Sequence, residues 1–107
     1  MEIESQETPL VLSGKDLHAA IKDIVSRHLD LSRYHLFLFG SEIAGTAIRG
    51  SDVDIGILGE EPVPGRIMER IRAGLEALRT LRRFDVVDFF GVDEAFKRVA
   101  LRNAEKL

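Results

Sequence analysis

The residues best suited to chemistry in this chain are a Gly-Ser pair and the aspartates that follow it. Gly40 and Ser41 are separated by ten residues from the pair Asp52 and Asp54, and a third candidate, Asp85, lies further along the chain. Residues two apart on a strand point to the same face about 6.5–7 Å apart, so the carboxylates of Asp52 and Asp54 can converge on one cation. Mg²⁺ prefers such oxygens together with phosphate and water. The pattern therefore predicts metal-dependent phosphoryl chemistry.

The Gly-Ser pair and the third carboxylate have roles that depend on their neighbours. A glycine after a buried strand lets the chain turn sharply, and Ser41 then offers a backbone N–H and a hydroxyl where a phosphate is favoured. Two-metal phosphoryl transfer, with ions about 3.5–4 Å apart, usually needs a third carboxylate. Asp85 and Asp88 compete for that role, because they point to opposite faces of a regular strand. Alternation does not choose between them, although Asp88 also fits a loop-capping carboxylate.

Hydrophobic periodicity predicts the elements that must position these residues. We predict an N-terminal tail or short edge strand over 1–13, and strands over 34–39, 52–58 and 84–89. The predicted helices cover 14–30 and 66–82, with one or two helical turns within 41–47 and an irregular loop over 59–65 beside the site. A last helix is capped by Asp93 and bears Phe96, Val99, Ala100 and Leu107. Residues 14–107 then form one domain, an α/β or α+β sheet with helices packed on it.

Composition bounds the class of protein. The chain has 107 residues, 45% of them hydrophobic and 31% charged, which fits one soluble domain. No apolar stretch approaches the ~20 residues of a membrane span, and the acidic N-terminus lacks the order of a signal peptide. The absence of cysteine excludes disulfides and is compatible with a reducing compartment. We therefore expect a cytoplasmic protein, with a homo-oligomer left open.

Charge argues against direct binding to duplex nucleic acid. The formal net charge is −3, whereas binding to phosphates requires a basic surface. Six arginines crowd one segment, and they are Arg66, Arg70, Arg72, Arg79, Arg82 and Arg83. Glu69 and Glu76 lie three residues before Arg72 and Arg79, a spacing typical of ion pairs on a helix surface. We interpret these arginines as a solvated helix face.

Three motifs together resemble the minimal nucleotidyltransferases of the DNA polymerase β superfamily. They are Leu36-Phe37-Leu38-Phe39-Gly40-Ser41 with Gly45-Thr46-Ala47, Ser51-Asp52-Val53-Asp54-Ile55, and Phe84-Asp85-Val86-Val87-Asp88-Phe89. The spacing of ten residues between Gly-Ser and Asp-x-Asp agrees with that family. The resemblance covers roughly residues 14–107, although its diagnostic parts are 36–58 and 84–89.

The resemblance implies a fold, a reaction and a set of site residues. The implied fold is a small mixed sheet with flanking helices, and the implied reaction transfers a nucleoside monophosphate from an NTP, AMP from ATP above all, to a hydroxyl. Two Mg²⁺ ions would be held by Asp52, Asp54 and Asp85, which places Asp85 ahead of Asp88. The implied nucleotide-binding residues are Gly40, Ser41, Arg49 and Ser51.

The resemblance also implies a partner, because the chain lacks the helical domain of larger relatives. Minimal members often work beside a helical HEPN protein, and the transferase is then the antitoxin that modifies the HEPN toxin with AMP. This chain departs from the family's Gly-Ser-Arg-x-Arg-Gly pattern, since Glu42 and Ala44 occupy the basic positions. An acid beside the phosphate turn opposes an anionic ligand unless Arg49 or a partner residue compensates. The alternatives are a catalytically weak module that neutralises or scaffolds a helical partner by contact, and a small-molecule adenylyltransferase.

Overall fold

A computed structural model describes residues 14–40, 52–80 and 82–107 of the chain. The helices are α1 (Gly14–Ser26), α2 (Gly65–Glu76) and α3 (Glu94–Arg102), with a short 3-10 helix at Phe89–Gly91. The strands are β1 (Tyr34–Phe39), β2 (Asp52–Gly59), β3 (Arg83–Asp88) and β4 (Glu105–Lys106). No helix in these ranges is both long and apolar enough to span a membrane. The predicted tail over 1–13 and the predicted turns within 41–47 lie outside the described residues.

The strands form one mixed sheet in the order β3-β2-β1-β4. β1 runs antiparallel to both β2 and β4, whereas β2 and β3 are parallel. The end of β1 therefore lies beside the start of β2, and the start of β3 lies on the other side of β2. The predicted class, a small mixed sheet with flanking helices, is confirmed.

One face of the sheet carries the main hydrophobic core. The alternating residues Val53, Ile55 and Ile57 of β2 are all fully buried on this face. Helices α1 and α2 cover it with apolar stripes at three- and four-residue spacing, as the periodicity predicts. Their buried residues are Leu17, Ile21, Ile24 and Val25 of α1 and Met68, Ile71 and Leu75 of α2. This packing fixes the register of β2 and hence the face on which its aspartates lie.

The opposite face carries a smaller aromatic cluster. Phe89 lies at its centre, with its ring centroid 5.0 Å from that of Phe37 and 5.2 Å from that of Phe39. Phe96 of α3 stacks on Phe89 at 5.8 Å. Gly56 makes room for these rings, since a Cβ there would lie 2.9 Å from Phe89 and would also collide with Phe37. The cluster therefore covers this face of the sheet at Gly56, after the two aspartates at the start of β2.

Both long helices end earlier than predicted, α1 at Ser26 instead of residue 30 and α2 at Glu76 instead of residue 82. The apolar spacing continues past each end into turns that still pack on the core. Leu29 is buried in the turn after α1, where its N–H donates to the carbonyl of Val25 at 2.9 Å. Leu78 packs against the core after α2 in the same way. Periodicity alone does not distinguish such a turn from another turn of helix.

The C-terminal end also differs from the prediction. The last helix begins after Asp93, whose carboxylate accepts from the N–H groups of Ala95 and Phe96 as a cap should. It ends at Arg102, and the chain then forms the two-residue strand β4 against β1. Leu107 therefore lies beyond the helix, where its N–H donates to the carbonyl of Leu36 at 3.0 Å.

Candidate active site

The turn at the end of β1 lies against the acidic strand. Gly40 has φ +79°, a backbone conformation that side chains with a Cβ rarely adopt. A Cβ at this position would collide with the carboxylate Oδ2 of Asp54 and lie 3.2 Å from its Cγ. Glycine is thus required here twice, for the turn itself and for the close approach of the turn to Asp54. This approach leaves the backbone of the turn facing the carboxylate with no side chain between them.

The two aspartates of β2 lie on the face opposite the main core. Asp52 is exposed and Asp54 is half-buried, while the alternating residues between and after them are fully buried on the core side. Gly56 follows in the same phase and carries no side chain that could cover the carboxylates. The alternation read from the sequence is therefore the one that the structure shows.

The parallel pairing of β2 and β3 places Asp85 beside Asp54. The two residues are directly opposite each other in the register, with Val86 opposite Ile55 on the core face. Paired residues of adjacent strands point to the same face, so the carboxylates of Asp54 and Asp85 share one side of the sheet. Asp85 is exposed there. The structure thus brings Asp85, and not Asp88, to the acidic face.

Asp88 has a different function in the fold. It lies opposite Ile57 on the core side, and its carboxylate accepts from the backbone N–H of Val63 at 2.8 Å and of Phe90 at 3.1 Å. These bonds tie the loop before α2 to the end of β3 and cap the 3-10 helix. The loop-capping alternative for Asp88 is the one observed.

These contacts predict that stability depends on Asp88 and hardly at all on Asp85. Replacing Asp88→Ala leaves the part-buried N–H of Val63 without an acceptor, so the free energy of unfolding should fall by about 1–3 kcal/mol. Replacing Asp85→Asn, at an exposed position beside another carboxylate, should change it by less than about 0.5 kcal/mol. Urea unfolding of both variants measures the difference. Equal losses in the two variants would contradict the assignment of Asp88 as the structural residue.

The donor set fits a hard cation, although it is not gathered into a tight cluster. Asp52, Asp54 and Asp85 offer only carboxylate oxygens, the ligand type that Mg²⁺ prefers. Within the described ranges, no three acidic or histidine side chains lie close enough together to form a ready metal-ligand group. Carboxylates that share a face repel one another unless a cation lies between them. Ser41, Arg49 and Ser51, the other predicted site residues, fall outside the described residues.

Arg83 is the site-facing residue that sequence reasoning misplaced. The interpretation of six arginines as a solvated helix face included Arg83, although the predicted helix ended at residue 82. In the structure it begins β3 and lies opposite Asp52 in the register. It shares the phase of Asp85, two residues later. That two-residue spacing in a strand was the signal that could have revealed it.

The loop after β2 and the cleft beside it are remote from these aspartates. β2 runs eight residues from Asp52 to Gly59, about 25 Å, so the prediction that the loop lies beside the site is wrong. A cleft of about 520 Å³ lies at this far end, and it is lined by Ser32, Arg33, Tyr34, His35, Leu58, Gly59, Glu60 and Glu61. The acidic face is thus separate from this cleft.

Comparison with known proteins shows a family match over most of the chain. Residues 19–107 match the family model described as polymerase beta, nucleotidyltransferase. The chain is 29% identical over 66 residues to a probable protein adenylyltransferase MntA from Haemophilus influenzae, a match that covers 62% of this chain and 58% of that protein. The match thus spans less than two thirds of the relative's length.

Two solved structures share the fold. A crystal structure of a toxin-antitoxin with AMP-PNP superposes with a TM-score of 0.67 at 21% identity, covering 82% of this chain and 69% of that one. A tri-AMPylated Shewanella oneidensis HEPN toxin in complex with MNT antitoxin gives a TM-score of 0.62 at 16% identity, covering 84% and 67%. At these identities the likeness is one of fold.

Proposed function

This chain belongs to the polymerase beta nucleotidyltransferase family, and we propose that it transfers AMP from ATP to a hydroxyl on a protein partner. The observation that carries the proposal is the acidic face itself. Asp54 and Asp85 are paired in register, Asp52 precedes them on the same face, and the turn at Gly40 lies against Asp54. The turn at Gly40 and the carboxylate of Asp85 thus lie on either side of β2, which carries Asp52 and Asp54.

The role of each residue follows from its place in the sheet. Two Mg²⁺ ions would be held by Asp52, Asp54 and Asp85. When bound, these ions would neutralise phosphate charge and make the attacking hydroxyl more acidic. Gly40 and Ser41 hold the triphosphate on the β1 side. On the β3 side, Asp85 accepts the proton of the acceptor hydroxyl. The hydroxyl oxygen then bonds to the α-phosphorus, and the bond to the bridging oxygen breaks with its electron pair leaving on pyrophosphate. Positioning and charge neutralisation account for most of such catalysis.

The partner we propose is a helical HEPN-type protein in the cytoplasm, with this chain as the antitoxin of the pair. Its support is the name of the adenylyltransferase relative and the description of the structural neighbours as toxin-antitoxin complexes, one of them with an AMPylated HEPN toxin.

A second candidate function is a binding module that neutralises such a partner by contact with little or no transfer. The observation that favours it is Glu42, which with Ala44 replaces the basic residues expected after the phosphate turn. Each extra negative charge near a triphosphate weakens its binding.

Transfer of label separates the two functions. The chain is incubated with ATP labelled on the α-phosphate, Mg²⁺ and the product of the neighbouring gene. The label should move to that product, and chelation with EDTA should stop it. Complex formation with inhibition of the partner but no label on it, at any ATP concentration, would favour the binding module and overturn the transferase.

A further inference from the structure

Arg83 brings a positive charge to the part of the sheet face that carries Asp52, Asp54 and Asp85. It begins β3 directly opposite Asp52, and its side chain is exposed. Phe84 and Val86, the alternate residues of the strand, pack in the main core, so Arg83 and Asp85 must lie on the acidic face. Among the residues that the two described strands β2 and β3 place on this face, Arg83 is the only cation.

The position of Arg83 across the sheet determines what it can bind. The order β3-β2-β1 puts it one strand from Asp52 and two strands, about 10 Å, from the phosphate turn that follows β1. Along β3 it lies two residues from Asp85, about 6.5–7 Å. Arg83 therefore belongs to the side of the site where the acceptor hydroxyl must enter, and not to the side of the pyrophosphate.

The guanidinium of Arg83 has no carboxylate partner within the described part of the fold. The ion pairs seen there join Arg27 to Asp23, Arg33 to Glu61 and Lys97 to Glu94. An arginine fixed at the edge of a site by its strand, with its five donors unused by a carboxylate, can bind an anion in bidentate fashion. The neighbouring Asp52 and Asp85 would repel the same anion if Arg83 were absent.

We infer that Arg83 binds an anionic group beside the acceptor hydroxyl and thereby selects acceptors in which the hydroxyl has an anionic neighbour. The inference rests on the proposed function, since it requires an acceptor on the β3 side. Two sources have the required chemistry. One is an Asp or Glu carboxylate next to the acceptor residue, and the other is the phosphate of an AMP group already transferred.

The test compares Arg83→Gln and Arg83→Lys with a matched control, Arg70→Gln. Arg70 is exposed on α2, which covers the other face of the sheet. Transfer of labelled AMP to the product of the neighbouring gene is measured against ATP and acceptor concentration, and mass spectrometry counts the AMP groups on each acceptor. Circular dichroism establishes that each variant is folded.

We expect Arg83→Gln to raise the KM for the acceptor form that carries the anionic group on the order of tenfold, while the KM for ATP changes by less than about twofold. Arg83→Lys should recover part of the loss, because it keeps the charge and loses the bidentate fork. Arg70→Gln should behave as the wild type. If a carboxylate is the source, Arg83→Gln impairs the first transfer. Removing the acidic neighbour from the acceptor then causes no further loss of transfer by Arg83→Gln. If a phosphate is the source, the first transfer is normal and later transfers fail.

Two results would overturn the inference while leaving the proposed function intact. In one, Arg83→Gln raises the KM for ATP and not that for the acceptor, which would make it a nucleotide-binding residue. In the other, all constants and the number of AMP groups are those of the wild type. Absence of transfer by the wild-type chain would instead overturn the proposed function, and the inference with it.

Discussion

Replacing Asp54→Asn is expected to reduce nucleotide transfer on the order of 10³-fold or more while leaving the fold intact. Asp54 is the half-buried carboxylate at the centre of the site, between the turn at Gly40 and the in-register Asp85. Loss of a metal-binding carboxylate removes several kcal/mol of stabilisation from a transition state in which charge develops on phosphate. Asparagine keeps the size and one oxygen of the side chain but not its charge.

The measurement is the rate of AMP transfer at saturating ATP, together with thermal unfolding of the same preparation. The unfolding temperature should stay within about 8 °C of the wild type, since asparagine matches the size of this half-buried side chain and the change should cost no more than about 1 kcal/mol. Asp23→Asn is a suitable control, because Asp23 is an exposed aspartate of α1 whose ion pair with Arg27 contributes little. Transfer by Asp54→Asn at the wild-type rate would show that the acidic face is not the catalytic site.

The strands and the acidic face were predictable because the pattern of apolar residues within each segment indicates them. Strict alternation over β2 places Val53 and Ile55 in the core, and the positions of Asp52 and Asp54 follow. β1 was instead predicted from a short, aromatic-rich apolar run, and β3 from a run that carries aspartates in both phases. Resemblance to a family then supplied the mixed arrangement of the strands, which alternation alone does not determine.

Alternation could not choose between Asp85 and Asp88, and the family resemblance alone placed Asp85 first. Both lie in β3, and each alternates with apolar residues, so the pattern within the strand is symmetric. In the structure, the pairing of Asp85 with Asp54 and the two backbone donors that Asp88 engages break that symmetry. Register is a contact between segments distant in sequence, and periodicity carries no information about it.

Apart from the position of the loop after β2, the predictions that failed concern the ends of elements. Leu29 and Leu78 continue the apolar spacing of their helices while lying in turns, because the core needs an apolar side chain at those points and not a helical backbone. The short strand β4 is exposed and has no alternation of its own, and its pairing with β1 alone defines it. The interpretation of the arginine-rich segment had the largest consequence, since it grouped Arg83, the first residue of β3, with the arginines of a helix surface.

Replacing Gly40→Ala is expected to lower both stability and transfer, for two separable reasons. The positive φ of 79° costs a residue with a Cβ about 1–2 kcal/mol in the free energy of unfolding. The Cβ must also displace the carboxylate of Asp54, and crowding of this kind costs about 1–3 kcal/mol more. Transfer should fall together with stability, because the displaced carboxylate is the one placed at the centre of the site.

Gly14 provides the matched control that separates the two costs. It has φ +55°, and a Cβ there would meet nothing within 4 Å, so Gly14→Ala carries the backbone cost alone. Chemical unfolding should therefore show a larger loss for Gly40→Ala than for Gly14→Ala. In the background of Asp54→Gly the carboxylate is gone, and the loss from Gly40→Ala should shrink toward that of Gly14→Ala. If the loss at Gly40 were the same with and without the Asp54 side chain, the turn would not lie against that carboxylate. The proposed placement of the triphosphate at this turn, beside the acidic face, would then fail, since it depends on this contact.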